Sequence, residues 1–342
     1  MKRRFRFIPW RLAALQAALL ALSLPSQAAL QLQQSWKAAP VLLQHVEFSP
    51  DGQAIITASG GGVAQLWSLN GSAGPQLQGQ RPPMFNAHFS RDGREIITTG
   101  YDGSAWVWTE GGQKLRAYAL HRAAVAEARF YPAGARATTG LISSSDDGQV
   151  VVRDGNGQPL WSGLYPGTAR QFSLSPDGQL IVASSDNGQL HFIRPSATRR
   201  QAQVQSIQTP HGRINQLAFS PDSRLILAAG TNGKVTLWTT GGQQLLSLAA
   251  STRGWSRGAV FCSAGTNAVM TIGDDGTLRS WTRSGQLTES LVLSTSSALT
   301  SLDCSADGSH AVVSGSQGEV WLLNLLATPS PTQSPTHPAN QS

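Results

Sequence analysis

Charge is scarce in this chain. Asp, Glu, Lys and Arg together make up 13% of its 342 residues, about half the roughly 25% of an average domain. A surface of this kind takes its solubility from Gln, Ser, Thr and Gly and does not suit a purely electrostatic partner. Cysteine is rarer still, with only Cys262 and Cys304. Catalytic signatures are missing too. There is no His-Glu-x-x-His zinc motif and no Gly-x-Ser-x-Gly nucleophile elbow, and Gly230-Thr-Asn-Gly-Lys234 has too few residues between its glycines for a phosphate loop. Asp154-Gly-Asn-Gly157 lacks the remaining ligands of a calcium loop. His45, His88, His191 and His310 show no metal-ligand spacing and are expected to be core or surface histidines. The sequence therefore nominates no catalytic, cofactor-binding or metal-binding residue.

Long apolar runs are also absent, apart from LAALQAALLALSL near the start. At about thirteen residues it is short of the roughly 20 that span a bilayer. Lys2, Arg3, Arg4, Arg6 and Arg11 precede the run, and Ser26-Gln27-Ala28 follows with small residues. Residues 1–28 thus have the form of a secretory signal peptide cleaved after Ala28, with an exported protein, periplasmic or extracellular, and no integral membrane span as the expected product. The leader takes five of the 26 basic residues and none of the 19 acidic ones, leaving 21 against 19, about +2. The basic balance needed for nucleic-acid binding disappears with it.

The body of the chain is repetitive. A hydrophobic-Ser-Pro-Asp-Gly unit or its variant recurs at Phe48, Phe89, Phe130, Leu174, Phe219, Phe261 and Cys304, at steps of 41, 41, 44, 45, 42 and 43 residues. Each anchor closes one strand. A turn follows, then an alternating apolar run such as AIITAS, then a hairpin glycine (Gly62, Gly103, Gly148, Gly188, Gly233, Gly276, Gly318), and a third strand that ends in a large residue five positions later. Those closing residues are Trp67, Trp108, Arg153, Ile193, Trp238, Trp281 and Leu323. A fourth strand reads off segments such as QKLRAYAL and QQLLSLAA. Repeats of this period form four-stranded blades stacked in a ring, so the expected fold is all-β, a seven-bladed β-propeller of four-stranded antiparallel blades over residues 29–326. The seventh repeat has no fourth strand of its own. The alternating segment Leu30 to Trp36 is expected to supply it, closing the ring with the N-terminal strand. Residues 327–342, rich in Pro, Ser and Thr, read as a disordered tail.

These residues resemble the WD-repeat β-propeller family over about 297 positions, from Leu30 to Leu326. The departures are clear, since no Trp is followed by Asp. His121, Ser143 and Asp147 match the family's buried network, but Arg153 replaces its Trp; Thr271, Asp275 and Trp281 match, but Thr252 stands where His would sit. The resemblance implies an interaction scaffold for protein or peptide partners and a network eroded in every blade.

Function falls to the connections into the inner strands, which lie on one rim and combine Arg with bulky residues. The candidate partner-binding residues are Arg81, Phe85, Tyr165, Arg170, His211, Arg213, Arg253, Trp255 and Arg257. Asp146-Asp147 and Asp274-Asp275 precede hairpin glycines and read as turn residues. Asn70-Gly-Ser72 is a glycosylation acceptor sequence. The expected molecule is a monomeric, non-catalytic propeller that binds no nucleic acid. The alternatives are a carbohydrate or small-ligand binder and, less favoured, a propeller enzyme of hydrolase, lyase or quinoprotein type. Two or more buried carboxylates or a His cluster facing the channel would favour the enzyme. Cys304 holds an anchor position and Cys262 follows one, so two unpaired buried thiols are expected.

Overall fold

The protein is seen in a computed structural model that describes residues 28–131, 140–195, 202–262 and 268–327. Nearly all of the expected leader, and the tail from residue 328 onward, lie outside the described residues. Within them the chain forms 28 strands in seven four-stranded antiparallel sheets, with no helix; no helix is therefore long and apolar enough to cross a membrane. The architecture is the expected seven-bladed propeller. Its inner strands are Leu43–Phe48, Met84–Phe89, Val125–Tyr131, Ala169–Leu174, Ile214–Phe219, Ser256–Cys262 and Leu299–Cys304 for blades 1 to 7. Each packs beside the next around the ring, and the first packs beside the last.

The repeat motif has a local physical reason. After the inner strand of blade 1, Ser49 Oγ donates to Asp51 Oδ1 (2.5 Å), which also accepts the Gln53 N–H (3.0 Å), while Gly52 takes φ 69° to reverse the chain. Ser90 with Asp92, Ser175 with Asp177, Ser220 with Asp222 and Ser305 with Asp307 repeat the bond. In blade 5 Ser223 takes the glycine's place and still adopts φ 58°.

Apolar burial lies between blades. There are seven core clusters, each joining two neighbouring blades; Ile56, Ala64 and Leu66 of blade 1, for example, meet Met84, Ile96 and Trp108 of blade 2. The second and third strands of each blade are buried on both faces, which explains runs such as AIITAS and LILAAG that barely alternate.

The ring closes as the sequence implies. Strand Ala28–Lys37 pairs antiparallel with Glu319–Ala327, from Ala28↔Ala327 to Lys37↔Glu319, with a bulge between Leu32 and Gln34. Leu30 is buried between blades 6 and 7 and its N–H donates to Glu289 of blade 6 (2.8 Å), while Trp36 packs 5.9 Å from Trp67 of blade 1. The closing strand thus touches both neighbours of the blade it completes.

The cysteine expectation is overturned. Cys262 and Cys304 form a disulfide, with Cα atoms 5.7 Å apart, and no free cysteine remains. Alternation along a strand decides which face of one sheet a residue takes. It does not decide what meets across two blades set at an angle, and here the ends of two adjacent inner strands converge within disulfide reach.

Two outcomes follow. Deleting Leu30 to Trp36 leaves Glu319–Ala327 as an open edge, and a loss of several kcal/mol with aggregation is expected, measured by urea unfolding and light scattering; unchanged stability refutes the closure. Replacing both cysteines by serine is expected to cost about 2–4 kcal/mol. Denaturation of the oxidised parent against the double variant measures this, and reductant should lower only the parent.

Candidate functional site

Beneath one rim of the ring, buried polar groups tie the hairpins to the connections above them. The family-like network is rebuilt with substitutes. In blade 3, His121 Nδ1 meets Asp147 (3.1 Å) and Nε2 meets Ser143 (2.8 Å), while Arg153, standing for Trp, donates to the Leu120 carbonyl (2.6 Å). In blade 2, Gln80 occupies the histidine's place, accepting from Thr98 (2.9 Å), which also accepts from Trp108 (2.9 Å). In blade 6, Arg279 reaches Asp275 (2.7 Å), which accepts from Thr252 as well. Two rim candidates belong to these interior networks. His211 is bonded to Asn232 and Thr236, both at 2.8 Å, and Tyr165 stacks 4.2 Å from His191. Both are buried, so their side chains offer no surface to a partner.

Four other candidates converge on the mouth of the channel. A cavity of about 250 Å³ there is lined by Phe85, Arg170, Arg213 and Arg257 together with Asn86 and Asn215. Trp255, 36% exposed, stands beside it with the guanidiniums of Arg257 and Arg213 over its ring at 4.4 and 5.2 Å. Asp274 holds this loop, accepting from Arg257 Nε (2.6 Å) and the Trp255 N–H (2.9 Å). Arg170 lies 3.6 Å from both Asp146 and Asp186. Arg213 has no carboxylate within ion-pair distance among the described residues. Burial lowers its affinity for a proton, and the charges of Arg170 and Arg257 lower it further. The charges of Asp186 and Asp146, the latter in the cavity wall, act the other way, so the mouth presents a cation without a directly paired carboxylate beside an exposed indole. Arg81 sits apart, its guanidinium 5.8 Å from the Tyr101 ring, and Arg253 shares the Trp255 loop without joining the cavity wall.

At the opposite ends of the same strands the channel widens into a chamber of about 370 Å³ bordered by His45, Glu47, Arg129 and Asp303. His88 and Glu127 lie behind them. The Glu47 carboxylate accepts from the Phe89 N–H of blade 2 (3.2 Å) and lies 2.5 Å from His88 Nδ1. Glu127 accepts from Arg129 (2.8 Å) and from the Phe172 N–H of blade 4 (3.2 Å). Asp303 accepts from the Phe48 N–H of blade 1 (2.8 Å). His45 and His88 meet edge to face at 4.4 Å. Burial above all, and the Arg129 charge, hold His88 well below the usual imidazole range; for His45 burial dominates and His88 adds to it. Burial raises the Glu127 carboxyl.

In sequence 43 residues separate these histidines, and no metal-ligand spacing links them. A signal was present nonetheless. The residue before each anchor is Glu47, His88, Arg129, Ser173, Ala218, Val260 and Asp303, and the four ionisable ones fall on four consecutive blades, 7, 1, 2 and 3. Half-buried Glu47 and Asp303 border the chamber with Glu127 buried behind them, and His45 and His88 stand paired beside them.

Asp303 yields a pH test. Burial first, then the Glu47 charge, raise its carboxyl from 3.8 to about 7. Across that window the folded protein keeps a proton that the unfolded chain has lost, so Asp303 lowers stability as pH rises through it. Asp303→Asn keeps an oxygen for the Phe48 N–H and removes the ionisation. The variant is expected to gain on its parent by on the order of 1–2 kcal/mol between about pH 5 and pH 8, measured by denaturant melts; parallel pH profiles would refute the raised carboxyl.

Comparison with known proteins agrees with this geometry. Residues 202–239 match the family model described as WD domain, G-beta repeat. The chain is 40% identical over 296 residues to WD repeat-containing protein slr1409 of Synechocystis sp. (strain ATCC 27184 / PCC 6803 / Kazusa), covering 86% of this chain and 88% of that one. It is 30% identical over 214 residues to the uncharacterized WD repeat-containing protein slr1410 of the same organism, covering 62% of each. Seven blades in phase, hairpins tied by His, Thr, Asp and Trp, and a relative alike over most of both lengths lead to one conclusion: the chain belongs to the WD-repeat β-propeller family.

Proposed function

We propose that this propeller is an exported, monomeric interaction scaffold that seats a protein or peptide partner on the channel mouth. The observation that carries the reading is Trp255, exposed beneath two guanidiniums at the edge of a cavity where Arg213 is in no direct ion pair among the described residues. An indole supplies apolar area at low entropic cost, and guanidiniums supply forked hydrogen bonds to carboxylates or peptide carbonyls. The partner segment is accordingly short, acidic or carbonyl-rich, and aromatic or aliphatic where it meets Trp255. The Cys262–Cys304 disulfide supports an oxidising compartment, which fits the leader-like N-terminal sequence.

The chamber supports a second reading. Three carboxylates and two histidines converge on the opposite end of the channel, a placement that favours small-ligand binding or chemistry there. The mouth and the chamber are separate cavities, so the two readings do not compete.

A photoreactive residue at Thr252 in the native compartment identifies the partner, and purified partner then measures affinity. Trp255→Ala is expected to weaken binding at least about 30-fold, equivalent to about 2 kcal/mol, with the melting temperature held. Retained affinity with a lowered melting temperature would make Trp255 a structural plug.

A further inference from the structure

We propose that His45 Nε2, Glu47 Oε2 and His88 Nδ1 bind one divalent transition-metal ion of the zinc class in the channel chamber. This site is independent of the mouth.

The donor set carries the first part of the argument. One ligand atom from each of the three residues, drawn from two adjacent blades, lies within 4.8 Å of the other two. Two imidazole nitrogens and one carboxylate oxygen suit zinc and its neighbours and leave the fourth position of a tetrahedron for water or a ligand from the chamber. Tetrahedral donors at about 2 Å from the metal stand about 3.3 Å apart. Glu47 Oε2 lies 3.9 Å from His45 Nε2 and 2.5 Å from His88 Nδ1, so these separations must change by about 0.6–0.8 Å, the carboxylate swinging away from His88 and toward His45. Its other oxygen is held by the Phe89 N–H, which keeps the carboxylate facing the site.

The surroundings carry the second part. His88 is 2% exposed, and its Nε2 has no hydrogen-bond partner although Glu127 Oε1 stands 3.6 Å away. With Nδ1–H donated to Glu47, the Nε2 lone pair faces a carboxylate, an unfavourable pairing of two acceptors. Metal on Nδ1 moves the ring proton to Nε2 and turns it toward Glu127. That is the arrangement by which metal-bound histidines are oriented, with a carboxylate on the far nitrogen. Glu127 is itself fixed by Arg129 and the Phe172 N–H. Three carboxylates here, Glu47, Glu127 and Asp303, share one guanidinium, that of Arg129. A divalent cation relieves the repulsion among those that are ionised.

The tag-free full chain, stripped with chelator, is titrated with Zn²⁺ by calorimetry and with Co²⁺ by visible absorption. Saturation at one equivalent is expected with a dissociation constant of about 1 µM or tighter, together with the intense visible bands of four-coordinate Co²⁺. His45→Ala and Glu47→Gln should each weaken binding at least about 100-fold, and Glu127→Gln, which stands behind His88 and offers the metal no atom, about 10-fold or more. His337→Ala, in the C-terminal segment, should change nothing. Absence of one-to-one binding, a pale six-coordinate Co²⁺ spectrum, or full affinity in Glu47→Gln would each overturn the assignment. If His45→Ala does not fold, Glu47→Gln and the Co²⁺ spectrum of the parent decide.

Discussion

No backbone ladder joins one blade to the next. The backbone ladders of all 28 strands stay inside their own sheets, so apart from the connecting segments the blades meet through side chains at seven interfaces. Apolar clusters supply most of that cohesion and reach the chamber wall at Val46, Leu217, Val260 and Leu302, where the inner strands converge and polar side chains are also brought into proximity. Three carboxylates resolve the problem in the same way. Each reaches across an interface to an inner-strand N–H of the following blade: Glu47 to Phe89, Glu127 to Phe172 and Asp303 to Phe48. Gln216 does the same to Ala259. A buried acceptor that finds an N–H offsets part of its desolvation cost and stitches two sheets together.

This constraint also explains how the hairpin networks could diverge without loss of the blades. What a blade needs is a donor and acceptor set linking its connection to its hairpin, not one residue type. His121 with Asp147 and Ser143 is one solution, Gln80 with Thr98 another, and Arg279 with Asp275 and Thr252 a third. Measured against a single residue pattern, the network is eroded in every blade. The bonds survive with other atoms.

What was legible in the sequence follows the same division. Blade number, strand order and the closing role of Leu30 to Trp36 are properties of chain periodicity, and a period of about forty-three residues with an unpaired third strand at the end reveals them. Relations between blades are angular, and alternation along a strand is blind to them. The Cys262–Cys304 pair and the approach of His45 to His88 both depend on where inner strands converge. Trp255, Arg213 and Arg257 were identifiable because composition marks an exposed loop, whereas Tyr165 and His211 carry similar composition and are buried. Exposure at the mouth depends on whether a side chain points over the channel or back into its hairpin, and the residue type does not encode that.

Blade 7 shows what these constraints produce together. It is the only blade assembled from both ends of the described chain, and hence the place where the ring could open. Every available kind of tie is concentrated there. A disulfide joins it to blade 6, the Leu30 N–H binds Glu289 across the same interface, and on its other side Ser301 and Asp303 accept the Val46 and Phe48 N–H groups of blade 1. Asp303 is at once a stitch at this seam and a wall of the chamber. The charge in the channel therefore sits beside the joint most in need of fastening, and any ligand that neutralises the chamber also reinforces the closure of the ring.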